Sequence, residues 1–194
     1  MNLNPANRDS DCAGSDADGS CAAATRPTGL VQFYHLTATP LERALPKLME
    51  KAFTGRFRTL LVAESDARVD QLNQLLWTYD PGSFLPHGSL KEGNAEQQPI
   101  LLVTSSSFGS TEGSPAAGDP LLKAKDDGKF NLLAITDGTQ PEKPEQFERI
   151  LDIFNGNDAQ AVEKARTRWT SYKNAGHNIS YLRQNESGGW EKRD

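Results

Sequence analysis

Between Asp158 and Ala175 the chain reads DAQAVEKARTRWTSYKNA. Val162, Ala165, Trp169 and Tyr172 recur there at intervals of three, four and three, the spacing of one face of a helix. Arg166 and Lys173 lie three residues before and four after Trp169, so both cations flank the ring on one side, while Arg168 falls elsewhere on the wheel. A flat aromatic floor beside two cations can hold a carboxylate and the apolar group attached to it. Such a pocket suits an acidic peptide that ends in an apolar side chain and a free carboxylate. The same spacing also describes a core-facing stripe with a solvated basic edge. Both readings stand at this level.

A second group of chemically informative residues is WTYDPGSFLPHG, from Trp77 to Gly88. It holds the aromatics Trp77, Tyr79 and Phe84, interleaved with Pro81, Gly82, Pro86 and Gly88, and runs from a helix end into a loop. Rings in a loop stay out of water only by packing on their own scaffold or on a partner. The segment has no nucleophile, metal cluster or phosphate cradle. It points to binding rather than reaction.

Tests for other chemistry are negative. Neither GxGxxG nor GxxxxGK[ST] occurs, and the turn after the first expected strand, His35-Leu36-Thr37-Ala38-Thr39, has no glycine for close approach to phosphate. Glu64 stands where a ribose-binding acid could sit, but without those glycines it reads as an exposed residue at a helix start. His35, His87 and His177 share no metal-binding spacing. Ser105, Ser106, Ser107 and Ser110 lie in no GxSxG elbow. Cys12 and Cys21 sit in a polar N-terminal segment, with too few ligands for zinc and no folded context for a staple. No cofactor, metal or catalytic set is expected.

The elements that must position these residues follow from hydrophobic period. Leu30 to Leu36, Thr59 to Ala63, Pro99 to Thr104, Phe130 to Thr136 and Phe147 to Phe154 read as strands, several of them continuous apolar runs of the kind buried on both faces. Between them, Thr39-Pro40-Leu41-Glu42 resembles a capping box with proline at the first helical position. It opens a helix through Leu41, Leu45, Leu48 and Ala52 that ends near Gly55 and should kink at Pro46. Asp66 to Trp77 and Asp158 to Ala175 are further helices, and Ser187-Gly188-Gly189-Trp190 reads as an extended tail. Strands alternating with helices predict an α/β fold with a mostly parallel sheet of about five strands.

The chain has 194 residues, a net charge of −5 and 36 % hydrophobic residues, fewer than a typical globular domain. The deficit is concentrated in residues 1–28, which are expected to form a disordered tail, leaving one α/β domain over 29–194. A Gly/Ser/Pro/Asp-rich stretch at about 105–128 reads as a flexible surface insertion. With no signal-peptide pattern and no membrane-length apolar run, the expected location is the cytoplasm. The acidic balance disfavours a general nucleic-acid binder. From Asn155 to Asp194, however, seven Lys or Arg face five Asp or Glu, the one basic district of an acidic chain.

Three blocks, LLWTYDPGSFLPHG followed by QPILLV, ARTRWTSYKNAGHNISYLRQ and GGWEKR, resemble the chi subunit of bacterial DNA polymerase III holoenzyme over about residues 29–104 and 129–192. The resemblance implies a Rossmann-like three-layer sandwich with no nucleotide-binding loop and no catalytic activity of its own. It further implies attachment to the clamp loader through the psi subunit and binding to the acidic C-terminal tail of single-stranded DNA-binding protein, so that DNA is reached indirectly. By position, Trp77, Phe84 and Pro86 would belong to the surface for psi or a helicase partner. Arg166, Trp169 and Lys173, with Tyr172, would belong to the acidic-tail pocket. Trp169 stands where relatives can carry tyrosine and Val162 where a relative can place lysine. The segments 1–28 and 105–128 depart from the family pattern. Two rivals are a degenerate nucleotide-binding or helicase-like domain and a direct single-stranded DNA binder stacking bases on Trp169 and Tyr172.

Overall fold

The computed structural model describes residues 29–109, 130–136, 138–141 and 144–193. The expected tail at 1–28 and the greater part of the expected insertion, from residue 110 onward, lie outside the described residues. The fold is a Rossmann-like α/β sandwich around one open sheet. Its strands are β1 (Leu30–Leu36), β2 (Thr59–Ala63), β3 (His87–Ser89), β4 (Ile100–Thr104), β5 (Leu132–Ile135), β6 (Arg149–Asn155), β7 (Asn178–Gln184) and β8 (Trp190–Arg193). They lie in the order β3-β4-β2-β5-β6-β1-β7-β8, and every pairing is parallel except β7 with β8.

The sheet thus has eight strands where the sequence predicted about five. The five expected strands form its centre, and their apolar runs are buried on both faces because helices cover both. The three additions lie at the edges. β3 has only three residues, too few for a periodic signal. β7 and β8 form a hairpin, so the glycines taken for an extended tail make its turn: Asn185 N–H donates to Gly189 O at 2.9 Å, with Gly188 at φ +80°. That positive φ is a conformation glycine adopts without strain.

Helices α1 (Leu41–Thr54) and α2 (Asp66–Thr78) cover one face, burying Leu45, Leu48, Met49, Val69, Leu72 and Leu76 against Tyr34, Leu61, Leu102 and Ile153. Each such leucine contributes about 1.5–3 kcal/mol by leaving water. α1 runs unbroken past Pro46, which is buried within it. The capping box expected at Thr39 does not form. Pro40 is the cap residue, and the Thr39 hydroxyl instead accepts from Gln184 Nε2 at 2.6 Å. The short α3 (Ser105–Gly109) follows β4, so the stretch expected to be loop begins as a turn of helix in which Thr104 Oγ1 accepts from Ser107 N–H at 3.1 Å.

The opposite face carries α4 (Ala159–Asn174), which starts at Asp158 as cap. Its buried positions are Ala165, Arg168 and Tyr172, so the stripe is rotated from the one the spacing predicted. Asp152 on β6 causes this. Arg168 Nε and Nη2 donate to its two carboxylate oxygens at 2.6 and 2.8 Å, with both residues buried. Trp169 and Val162 move to the half-exposed flank as a result.

Candidate functional site

On that flank α4 stands beside β1, β7 and β8 and leaves a cavity of about 430 Å3. It is lined by Phe33, His35, Phe154, Val162, Ala165, Arg166, Trp169, Tyr181 and Arg193. The indole of Trp169 makes the floor, 5.2 Å from the Phe33 ring and 6.0 Å from Tyr181 between ring centres. Tilted and edge-on pairs of this kind add about 0.5–1.5 kcal/mol beyond their burial, which keeps the floor rigid. Arg166 comes from α4 and Arg193 from β8, two cations on an otherwise apolar wall.

The polar rim is the pair His35 and Tyr181. The imidazole Nδ1 is hydrogen-bonded to the Tyr181 hydroxyl, and the ring stacks on Phe154 at 5.0 Å. Burial first, and then Arg183, hold the His35 pKa below 6.5, so the ring is neutral at pH 7. Burial raises the Tyr181 hydroxyl above its ordinary value, against the pull of Arg183, Arg166 and Arg193. A Cβ at Gly156 would collide with His35 Nε2, so that position requires glycine.

Of the residues expected here, Arg166 and Trp169 meet in the cavity. Tyr172 does not reach it. It is 1 % exposed and packs under Phe33 at 6.2 Å between ring centres, because Arg168 draws that side of the helix toward the sheet. Burial pushes its hydroxyl pKa well above 10. Lys173 is exposed and lies outside the cavity lining, one further turn along α4. The sequence reading missed Phe33, His35, Phe154, Tyr181 and Arg193. The alternation of β1 marks Phe33 and His35 as sharing a face, but only the sheet order brings that face beside α4.

The second constellation lies on the other face, toward the β3 edge. Trp77 ends α2 and is 55 % exposed; Phe84, 6.2 Å from it between ring centres, is 72 % exposed. Phe53 at the end of α1 adds a third ring, 39 % exposed. The loop is held, so these rings are presented rather than loose. Tyr79 Oη and Ser83 Oγ each donate to Glu50 Oε1, at 2.8 and 2.7 Å, and Leu85 is buried. His87 lies 4.9 Å from Trp77, with its Nδ1 2.6 Å from Leu85 O and its Nε2 3.1 Å from Asn73 O. Pro86, half-buried, spaces Leu85 from His87.

A third concavity, about 500 Å3, opens at the carboxyl ends of β1 and β6, where Rossmann-like folds hold nucleotides. Here Gln184 Oε1 accepts the backbone N–H groups of Thr37, Ala38 and Thr39 at 3.3, 3.2 and 3.0 Å. The amides of the first strand-to-helix turn are therefore already satisfied from within the chain. Among the described residues no group of three or more His, Cys, Asp or Glu could hold a metal, and no helix is long and apolar enough to cross a membrane.

Comparison with known proteins identifies the family. A protein of Rickettsia prowazekii named as a probable DNA polymerase III subunit chi is 30 % identical over 70 residues, 36 % of this chain and 42 % of that relative. The chain thus spans less than half the length of that protein. The DNA polymerase III subunit chi of Haemophilus influenzae is 26 % identical over 152 residues, 77 % of this chain and 93 % of its own length. The model of the family described as DNA polymerase III chi subunit, HolC, matches residues 29–180. That span takes in the sheet from β1 into β7, the Trp169 helix and the Trp77–Phe84 surface alike, and the chain accordingly belongs to the DNA polymerase III chi subunit family, accessory subunits of a DNA-replicating polymerase.

Proposed function

We propose that this chain is a non-catalytic adaptor of the polymerase III holoenzyme. It carries an acidic-peptide pocket on α4 and a scaffold-docking surface on the opposite face. The occupant of the pocket is the acidic C-terminal tail of single-stranded DNA-binding protein, and the docking surface takes psi of the clamp loader or a helicase. The observation that carries this reading is the aromatic-floored cavity with Arg166 at its wall. An apolar terminal side chain fits against Trp169 and Phe33, and its carboxylate fits Arg166. The exposure of Trp77, Phe84 and Phe53 on a braced loop supports the docking half. Many tails along coated DNA would raise the local concentration of the polymerase machinery by avidity. The chain acts in the cytoplasm and reaches DNA only through the coating protein.

The deciding experiment titrates the chain with a peptide copying the acidic C-terminus of the cognate single-stranded DNA-binding protein, beside Arg166→Ala. The expected result is micromolar binding that weakens with salt and is lost in the variant. Binding to naked oligonucleotide at equal strength would instead favour direct DNA contact. No peptide binding at low salt would remove the adaptor reading of α4.

A further inference from the structure

The α4 cavity continues past Tyr181 onto the β7–β8 hairpin. In the parallel pairing of β1 with β7, Phe33 lies beside Tyr181 and His35 beside Arg183. In the antiparallel pairing of β7 with β8, Tyr181 faces Arg193 and Arg183 faces Glu191. Paired residues, and residues two apart on a strand, project from the same face. The α4 side of this sheet edge therefore carries two rows, Phe33–Tyr181–Arg193 and His35–Arg183–Glu191. Arg166 meets the first row from above. Arg166 and Arg193 line the cavity with Tyr181, and Arg183 stands one row further along the same face.

Among the described residues Arg166 and Arg183 make no ion pair, and Arg193 has an exposed contact of 3.4 Å with Glu191. A further concavity of about 600 Å3, walled by Arg183, Arg193, Glu186 and Glu191, meets the Trp169 cavity at Arg193. Arg183 and Arg193 lie beyond residue 180, where the family match ends.

We propose that Arg183 and Arg193 form a cationic subsite next to the Trp169 cavity, which takes the acidic side chains that precede the last residues of the bound peptide. The inference rests on the acidic-peptide reading of α4. The terminal apolar side chain occupies the Trp169 floor, the free carboxylate lies on Arg166, and the acidic stretch leaves over Arg193 and Arg183. Glu191 is the built-in competitor. Its carboxylate shares this face with both arginines, so a peptide enters only with enough negative charge to displace it.

The test uses the full chain and two peptides that end in an aromatic residue with a free carboxylate. One carries aspartates upstream, and the other carries asparagines in their place. Arg183→Ala and Arg193→Ala should each weaken the aspartate peptide about threefold to tenfold. Arg183→Ala should leave the asparagine peptide unchanged, and Glu191→Gln should strengthen the aspartate peptide selectively. All three positions are exposed, so folding is retained, and a thermal melt checks it. If Arg166→Ala abolishes binding while Arg183→Ala and Glu191→Gln treat the two peptides alike, the subsite is wrong and the pocket stands. If the unsubstituted chain binds neither peptide, both are wrong.

Discussion

Gln184 grips Thr39 twice: its Oε1 accepts the Thr39 N–H at 3.0 Å while its Nε2 donates to the Thr39 hydroxyl at 2.6 Å. The last residue of β7 thereby fills the turn between β1 and α1, where a phosphate would sit in a nucleotide-binding relative of the fold. It also ties the strand bearing Tyr181 and Arg183 to the centre of the sheet. Gln184→Ala should lower stability by about 1–3 kcal/mol, since it strands up to three part-buried amides. Denaturant unfolding reads this directly. A loss under about 0.5 kcal/mol would mean that water replaces the side chain without penalty.

The Arg168–Asp152 pair sets the rotation of α4 and hence which side Trp169 faces. Removing Arg168 takes the bidentate partner from a buried carboxylate, so Arg168→Met should cost about 3–5 kcal/mol. The double change with Asp152→Leu should cost less than either single change. Equal or additive losses in a double-mutant cycle would contradict that account. The cleft is narrow there: a Cβ at Gly138, which has φ +81°, would come within 2.8 Å of Arg168 Nη1.

Arg56 ends α1 at φ 59°, a left-handed conformation that costs a side-chain-bearing residue energy. Its amide closes the helix on Phe53 O at 2.9 Å, and Gly55 before it has an ordinary φ of −72°. Arg56→Gly should stabilise the chain by about 0.5–1 kcal/mol. A lower melting temperature for the variant would show that the arginine makes contacts outweighing its strain.

Trp77 and Phe84 present their rings to solvent, so the folded chain gains little from them. Alanine at either position should change stability by no more than about 0.5 kcal/mol. On the proposed docking role, the same change should weaken capture of psi or a helicase by about 2 kcal/mol, as for an interface hot spot. Unaltered capture by both variants would move the docking surface elsewhere.

The pH profile follows from His35, whose folded pKa lies below its unfolded value of 6.5. The unfolded chain binds the proton more readily, so the stabilisation is fully present above pH 6.5 and is lost as pH falls through the folded pKa. Chemical denaturation between pH 7 and about 5, above the carboxylate range, should show falling stability. His35→Gln should flatten the slope. An unchanged slope would assign it to other groups.

Apolar period, with the residues at helix starts, marks the five central strands and the three long helices to within a residue or two, because those signals are local. Thr59–Ala63 must be a strand wherever it lies, since five consecutive buried positions leave no polar face. Trp169 with Arg166 was legible in the same way, as neighbours on one helix. The edge strands were less visible: β7 and β8 are half-polar, and their pairing is a matter of contact rather than pattern.

What the sequence by itself determined is the layered α/β order, the family resemblance and the two groups of residues proposed to bind. Only the tertiary structure decided how each surface is completed. An ion pair between α4 and the preceding strand β6, beyond the reach of helical spacing, turned Tyr172 inward and left Trp169 as the floor. The sheet order set Phe33, Tyr181 and Arg193 in one row across three strands. Helical spacing records neighbours three and four residues apart, whereas the buried Arg168–Asp152 pair joins two different elements and the β1–β7 register joins residues more than a hundred apart, and no local pattern carries that information.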